Sequence, residues 1–254
     1  MAGAGGPVFD GARRIEMAGA FLEGGEHYEL VRPGYPRESL EWLASGAGGV
    51  RDAVDVGAGT GKYTQLLVAR GWNVAAVDPS ADMLAQLRRK LPGVTALTGT
   101  AEHLGLPDSS MDLAVVAQAW HWCEPLAAST ELARVLRPGG TVGLVWNQLD
   151  VSVPWVHRLA RIMHAGDVHK PDFRPHVGPE LQGLEVHETS WQQLLTPAEL
   201  MELVKSRSYY LKANETIRAK VLENLRWYLH DHLGHAPGAE IGLPYTTQTW
   251  RAHI

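Results

Sequence analysis

The sequence predicts an α/β fold, a mostly parallel sheet covered by helices on both faces. The first observation behind this is the stretch 53–78, AVDVGAGTGKYTQLLVARGWNVAAVD. It reads strand, glycine turn, helix, strand, acidic end, the form of a βαβ unit. The second is the alternation that follows, in which short apolar runs at 94–97, 111–117 and 141–146 are separated by helical patterns. The third is the near-continuous apolar character of 111–117, expected of a strand buried on both faces.

Taken in order, residues 1–15 are Gly/Ala-rich and read as a tail, with a short helix near 17–22. In the segment HYELVRPGYP, at 27–36, Pro33 and Pro36 fix φ and bias the residues before them toward extended backbone. A short helix is expected over 39–44, a first strand over 51–56, a helix over 62–69 closed by Gly71, and a second strand over 73–77. Ser80 is a good N-cap for a helix over 81–90, with Asp82 in its first turn and Arg88, Arg89 and Lys90 in its last, each sign matched to the dipole. Pro92 and Gly93 stop it. A helix over 125–136 is expected to end at Pro138-Gly139-Gly140, before a strand at 141–146. Residues 154–165 have helical spacing, and 166–183 read as a polar, Pro-rich loop. A capping box at Thr196 to Glu199 opens a helix to about 206, and 214–231 reads as another. Strand propensity returns at 184–194 and 243–252.

Composition narrows the function. Over 254 residues the net charge is −5, which leaves no electrostatic footprint for nucleic acid. One cysteine, Cys123, gives no internal disulfide framework and suits a reducing cytoplasm. No apolar run reaches membrane-span length, and the start lacks a signal-peptide pattern. The expected partner is a small molecule; the oligomeric state stays open.

The glycine turn carries the chemistry. Glycines let the backbone approach a ligand closely, the following helix presents unpaired N–H groups, and a carboxylate at the tip of the second strand suits ribose hydroxyls. An adenosine-containing cofactor follows. A phosphate-binding P-loop is rejected: Gly57 to Gly61 is one residue too short, and Tyr63 stands where Ser or Thr is needed. A dinucleotide fingerprint fits imperfectly, with Lys62 at the place of its last glycine. A nicotinamide-dependent oxidoreductase therefore stays open beside a third reading.

That third reading rests on four motifs in register. VDVGAGTGKYTQLL resembles the first motif of the class I S-adenosylmethionine (SAM)-dependent methyltransferases. VDPSADML at 77–84 resembles the second, GTAEHLGLPDSSMDLAVVAQAWHW at 99–122 the third and fourth, and ELARVLRPGG at 131–140 the helix and turn before the fifth strand. The resemblance implies a Rossmann-like doubly wound, mostly parallel seven-stranded sheet with an antiparallel C-terminal hairpin and a helical cap. It divides the chain into a tail and cofactor-covering segment (1–36), a SAM-binding core (37–150), and cap helices with the last strands (151–254). The stretch 27–36 is similar to the segment that precedes the core in the trans-aconitate and ubiquinone-biosynthesis-like branch.

By that resemblance Gly57, Ala58, Gly59, Thr60 and Gly61 approach the cofactor, S-adenosyl-L-methionine, whose product is S-adenosyl-L-homocysteine. Asp55 sits near its amino-acid end, Asp78 and Pro79 near the ribose, and Met83 near adenine. Thr100 stands where many relatives carry Asp, which shifts adenine recognition toward backbone groups near Ala101 and Glu102. Tyr28 and Arg32 face the cofactor, with Tyr35 toward the acceptor; a proline-rich connector with aromatic packing is the alternative.

Open α/β sheets bind ligands beyond the carboxyl ends of their strands. The end of the fourth strand is Gln118-Ala119-Trp120-His121-Trp122, so Gln118 and Trp120 are assigned to the cofactor and Trp122, with Trp146 and Tyr209, to the acceptor. Packing of the two indoles against a helix is the competing account, as is core packing for Tyr209. His121 is the best-placed general base, since its unperturbed pKa lies near neutrality, although an already ionised acceptor needs none. The histidine groups 157–176 and 230–235 form no compact ligand set, so no metal is expected. A SAM-binding partner subunit without catalysis is the remaining alternative.

Overall fold

Seven strands form one sheet in the order β3-β2-β1-β4-β5-β7-β6, in a computed structural model that describes residues 29–165, 168–170 and 172–254. β1 (Asp52–Val56), β2 (Asn73–Asp78), β3 (Thr95–Thr98), β4 (Met111–Ala117) and β5 (Leu136–Leu149) run parallel. β7 (Ile241–His253) lies antiparallel between β5 and β6 (Gln182–Leu195). This is the expected mostly parallel seven-stranded sheet, and the predicted pairing of the two C-terminal strands is present.

Alternation along the central strands builds two cores. Val54, Val56, Ala114, Val116 and Leu144 face α4 (Pro125–Val135) and pack on its Ala128, Leu132 and Val135. Ala53, Leu113, Val115 and Val145 face the other way, onto Leu40 and Leu43 of α1 (Arg37–Ser45) and Leu67 of α2 (Thr64–Ala69). Both faces of β1 and β4 are therefore dry, which leaves only the strand ends for a polar site.

α3 (Ala81–Lys90) has the predicted bounds: Ser80 Oγ accepts from Met83 N at 3.3 Å, and Leu84 and Leu87 pack under Ala58 and Ala76. The C-terminal helices gather a core of their own. Leu159 of α5 (Pro154–Ile162), Leu200 and Leu203 of α6 (Pro197–Lys205), and Leu225 of α8 (Glu215–Arg226) close on Ile241, Leu243 and Tyr245 of β7. α6 begins with the predicted capping box. No helix among the described residues is long and apolar enough to cross a membrane.

Three expectations are corrected. β5 starts at Leu136, so Pro138-Gly139-Gly140 does not stop a helix but bulges inside the strand: Met111 pairs with Leu136, while Leu113 already pairs with Thr141. α2 starts at Thr64 rather than at 62, because turns run on past Gly61. A short helix, α7 (Ser208–Lys212), precedes α8, and beyond Arg226 the chain continues as a π-helix over Trp227–His232 instead of a regular one.

Candidate active site

β1 delivers Asp55 and the glycine turn to the carboxyl edge of the sheet. Gly57, Gly59 and Gly61 all have positive φ (68°, 54° and 86°), a region glycine enters freely. Gly57 N and Ala58 N donate to Val77 O at 2.8 and 3.1 Å, which ties the turn to β2. A Cβ on Gly57 would collide with Ala119 Cβ, and one on Gly61 would meet Leu87 Cγ at 3.0 Å. Nothing stands within 4 Å of a Cβ built on Gly59. Two of the glycines thus serve packing and the third faces open space.

Asp78 holds the turn from behind. Its Oδ2 accepts from Gly59 N and its Oδ1 from Ser80 N, both at 2.8 Å. Burial pushes this carboxyl up from its usual range, and the two N–H groups oppose the rise. Asp55 is 1% exposed. Its Oδ2 accepts from Thr64 Oγ1 at 2.6 Å, whereas its Oδ1 has no hydrogen-bond partner. Burial, with the nearby charge of Asp78 adding and the Thr64 hydrogen bonds opposing, pushes Asp55 up to about 7.

β4 contributes Gln118, held at φ 53°, in the left-handed region a non-glycine residue rarely adopts. Its backbone N donates to Val145 O and its Nε2 to Asn147 O, each at 2.8 Å, and its Oε1 is buried without a partner. Asn147 in turn donates from Nδ2 to Gly34 O at 2.8 Å.

The segment 29–36 straps this edge. Glu29 Oε2 accepts from Thr60 Oγ1 at 2.6 Å and Glu29 Oε1 pairs with Lys90 Nζ at 2.7 Å, while Lys62 Nζ donates to Glu29 O at 2.7 Å. Burial raises the Glu29 carboxyl, but Lys90, Thr60 and Lys62 outweigh it and leave it below its usual value. Burial lowers the Lys62 ammonium against the pull of Glu29. Arg32 Nη2 reaches Ser206 O at 2.9 Å, and Tyr35 packs edge-on to Tyr63. Between strap and glycine turn runs a narrow cleft of about 50 Å³.

The cleft brings together Arg32, Tyr35, Asp55, Gly57, Ala58, Gly59, Thr60 and Gln118 of the expected residues, with Asp78 directly behind Gly59. Met83 is buried on α3, and Pro79 is exposed. Thr100, Ala101 and Glu102 form a turn closed by Thr100 and His103, in which Glu102 Oε1 accepts from Glu124 N at 2.7 Å. His121 and Trp122 lie ring against ring at 4.4 Å in the 3-10 turn Trp120–Trp122. Three expected residues lie apart. Trp120 is in the core, its Nε1 donating to His176 O at 2.9 Å. Trp146, 2% exposed, packs edge-on to Phe173. Tyr209 lines a different hollow. Tyr28 lies outside the described residues. Lys62, Tyr63 and Asn147 also line the cleft and were not expected there; only Lys62, adjoining the glycine turn, carried a local signal.

Known proteins place the chain in a family. Residues 54–144 match the family model described as a methyltransferase domain. An uncharacterised methyltransferase of Mycobacterium tuberculosis is 43% identical over 242 residues, which is 95% of this chain and 98% of the relative. A provisionally named type II methyltransferase from Anaeromyxobacter dehalogenans superposes with a TM-score of 0.62 at 26% identity, covering 87% of this chain and 97% of the other. A malonyl-[acyl-carrier protein] O-methyltransferase of Yersinia pestis is 36% identical over 111 residues, 38% of this chain and 42% of the relative. With its glycine turn at the carboxyl edge of a 3-2-1-4-5-7-6 sheet and a relative this similar over nearly its whole length, the chain belongs to the class I S-adenosylmethionine-dependent methyltransferases.

Proposed function

We propose that the chain transfers a methyl group from SAM to a small-molecule acceptor at the cleft between the ends of β1 and β4. One observation carries the reading: the cleft that Gly59 opens onto is also lined by Asp55 and Gln118, whose buried acceptor atoms Oδ1 and Oε1 are both without partners. Unpaired buried acceptors are costly unless a ligand supplies donors or positive charge, and SAM is cationic at its ammonium and sulfonium. The residues present therefore fit the cofactor.

When bound, SAM supplies an activated methyl group. In this reading Asp55 holds the ammonium and is kept ionised by it. Lys62 and Arg32 offer positive charge for the carboxylate, and Asp78 stands at the ribose while also fixing Gly59. Tyr35 and Tyr63 exclude water on the strap side, which strengthens every charge interaction inside. His121, in the turn after Gln118, takes a proton from an acceptor that needs to lose one. The Yersinia relative acts on an acyl-carrier protein, but it matches this chain over fewer than half its residues, so the acceptor proposed here is a free small molecule. The reducing cytoplasm is the proposed compartment.

Native mass spectrometry of the purified protein, followed by calorimetric titration with SAM, tests the reading. Bound SAM or S-adenosylhomocysteine supports it, together with binding that Asp55→Asn weakens in a folded protein. A bound nicotinamide dinucleotide would overturn it.

A further inference from the structure

A second and larger hollow, about 740 Å³, opens between α5, α7 and α8 and shares no residue with the cleft. Its size is that of a ligand site. Arg158 and Arg161 of α5 and Lys220 of α8 line it. Among the described residues no carboxylate lines it, although the chain as a whole carries a net charge of −5. Among the described residues neither Arg161 nor Lys220 has an ion-pair partner, and Arg158 lies over the rings of Trp227 and Tyr228, 5.2 Å from each centroid. Three like charges along one hollow raise the local potential for an anion.

The rest of the lining is apolar. Ile162 and buried Val221 line it, as do Ile217 and Tyr209, each 38% exposed. His164, held in the left-handed region at φ 48°, stacks on Tyr209 at 4.0 Å and makes with it a flat aromatic face. Apolar surface of this kind, enclosed by cations, suits a molecule with both characters.

We infer that this hollow binds an amphipathic organic anion, a dissolved small molecule with a phosphate or carboxylate end for Arg158, Arg161 and Lys220 and an apolar body for Ile217 and Tyr209. The site stands whether or not the cleft binds SAM.

Calorimetry on the full chain at low salt tests it, with decyl phosphate below its critical micelle concentration as the probe and inorganic phosphate and decyl maltoside as comparators. Decyl phosphate is expected to bind saturably and to bind at least tenfold more weakly to the Arg161→Gln/Lys220→Gln double variant. A SAM titration and the thermal unfolding midpoint monitor that variant and are expected to be unchanged. Absence of saturable binding overturns the inference. So does decyl maltoside or inorganic phosphate binding as tightly as decyl phosphate, or an affinity indifferent to the two charges.

Discussion

Thr64 Oγ1 donates to Asp55 Oδ2 at 2.6 Å and so ties the first turn of α2 to the end of β1. Together with the Thr64 backbone N–H, that hydroxyl serves a carboxylate that is 1% exposed. Thr64→Val keeps the shape and removes the hydroxyl donor, leaving a buried carboxyl with only the backbone N–H of residue 64 to serve it. A loss of about 1–3 kcal/mol is expected in urea unfolding at pH 8. The loss should shrink toward pH 5, where Asp55 is protonated; an equal loss at both would show that its charge is irrelevant.

Asp55 also sets a pH dependence. Its carboxyl is raised to about 7 in the folded chain from its ordinary value of 3.8. The folded state therefore binds an extra proton between those values, and its contribution to stability is present at low pH and lost as pH rises through 7. Cofactor binding runs the opposite way, because a cationic ligand needs the ionised form. SAM affinity is expected to fall roughly tenfold for each pH step of one below 7, measured by calorimetry. Asp55→Asn should flatten the profile while lowering affinity throughout.

Gly57 and Gly59 separate folding from binding. Both have positive φ, but only at Gly57 would a Cβ collide with a neighbour, Ala119. Gly57→Ala is expected to cost more than 2 kcal/mol in unfolding, from strain plus overlap. Gly59→Ala should cost about 1 kcal/mol yet weaken SAM binding at least tenfold, because Gly59 lines the cleft and nothing but open space stands where its methyl would go. Titration of the two folded variants distinguishes these outcomes.

The Glu29 latch should gate entry. A cleft of about 50 Å³ is too small for an adenosine cofactor while Arg32 and Tyr35 lie across it. Glu29→Gln leaves the Lys62 bond to the backbone carbonyl but weakens the 2.7 Å tie to Lys90, a charge-assisted bond worth about 1–2 kcal/mol. SAM association, followed by stopped-flow fluorescence, is expected to speed up by about threefold to tenfold. An unchanged rate would mean that the strap is not what the cofactor waits for.

Ser39 joins three elements through hydroxyls alone. Its Oγ lies 3.0 Å from Tyr63 Oη and accepts from Thr249 Oγ1 at 3.0 Å, all in the buried layer between α1, the glycine turn and β7. Ser39→Ala strands both partners, and a cost of about 1–3 kcal/mol is expected, readable as a lower thermal midpoint. Tyr63→Phe should cost less, since it removes a hydroxyl and leaves Ser39 still bonded to Thr249.

What was legible in the sequence was local. Ser80 and its flanking charges defined α3 to the residue, and Met111 to Ala117 announced β4, because caps and apolar runs act within one element. Pro138-Gly139-Gly140 misled because a stop signal says nothing of pairing: Leu136 is drawn into the sheet by Met111, and the bulge absorbs the break. The π segment after Arg226 has no signature of its own. At the site, the glycine turn and Asp55 declared themselves. Glu29 and Asn147 did not, since each enters only through the fold, Glu29 meeting Lys62 from 33 positions away. Trp120 followed a strand end as site aromatics do, but the carbonyl that satisfies its indole belongs to His176.

The place of β7 between β5 and β6 has a further consequence, in the order of manufacture. Strands β1 to β5 leave the ribosome as a set that can pair as it emerges. β6 and the three helices after it are made next, but their seat in the sheet is built only when 241–253 appear. Until then a fourteen-residue strand has no neighbour, and Leu200, Leu203 and Leu225 lack Ile241, Leu243 and Tyr245 as cover. The nascent chain is thus most prone to clumping late in translation, and a holdase that engages the stretch from β6 to α8 would raise its yield more than one acting on the first half.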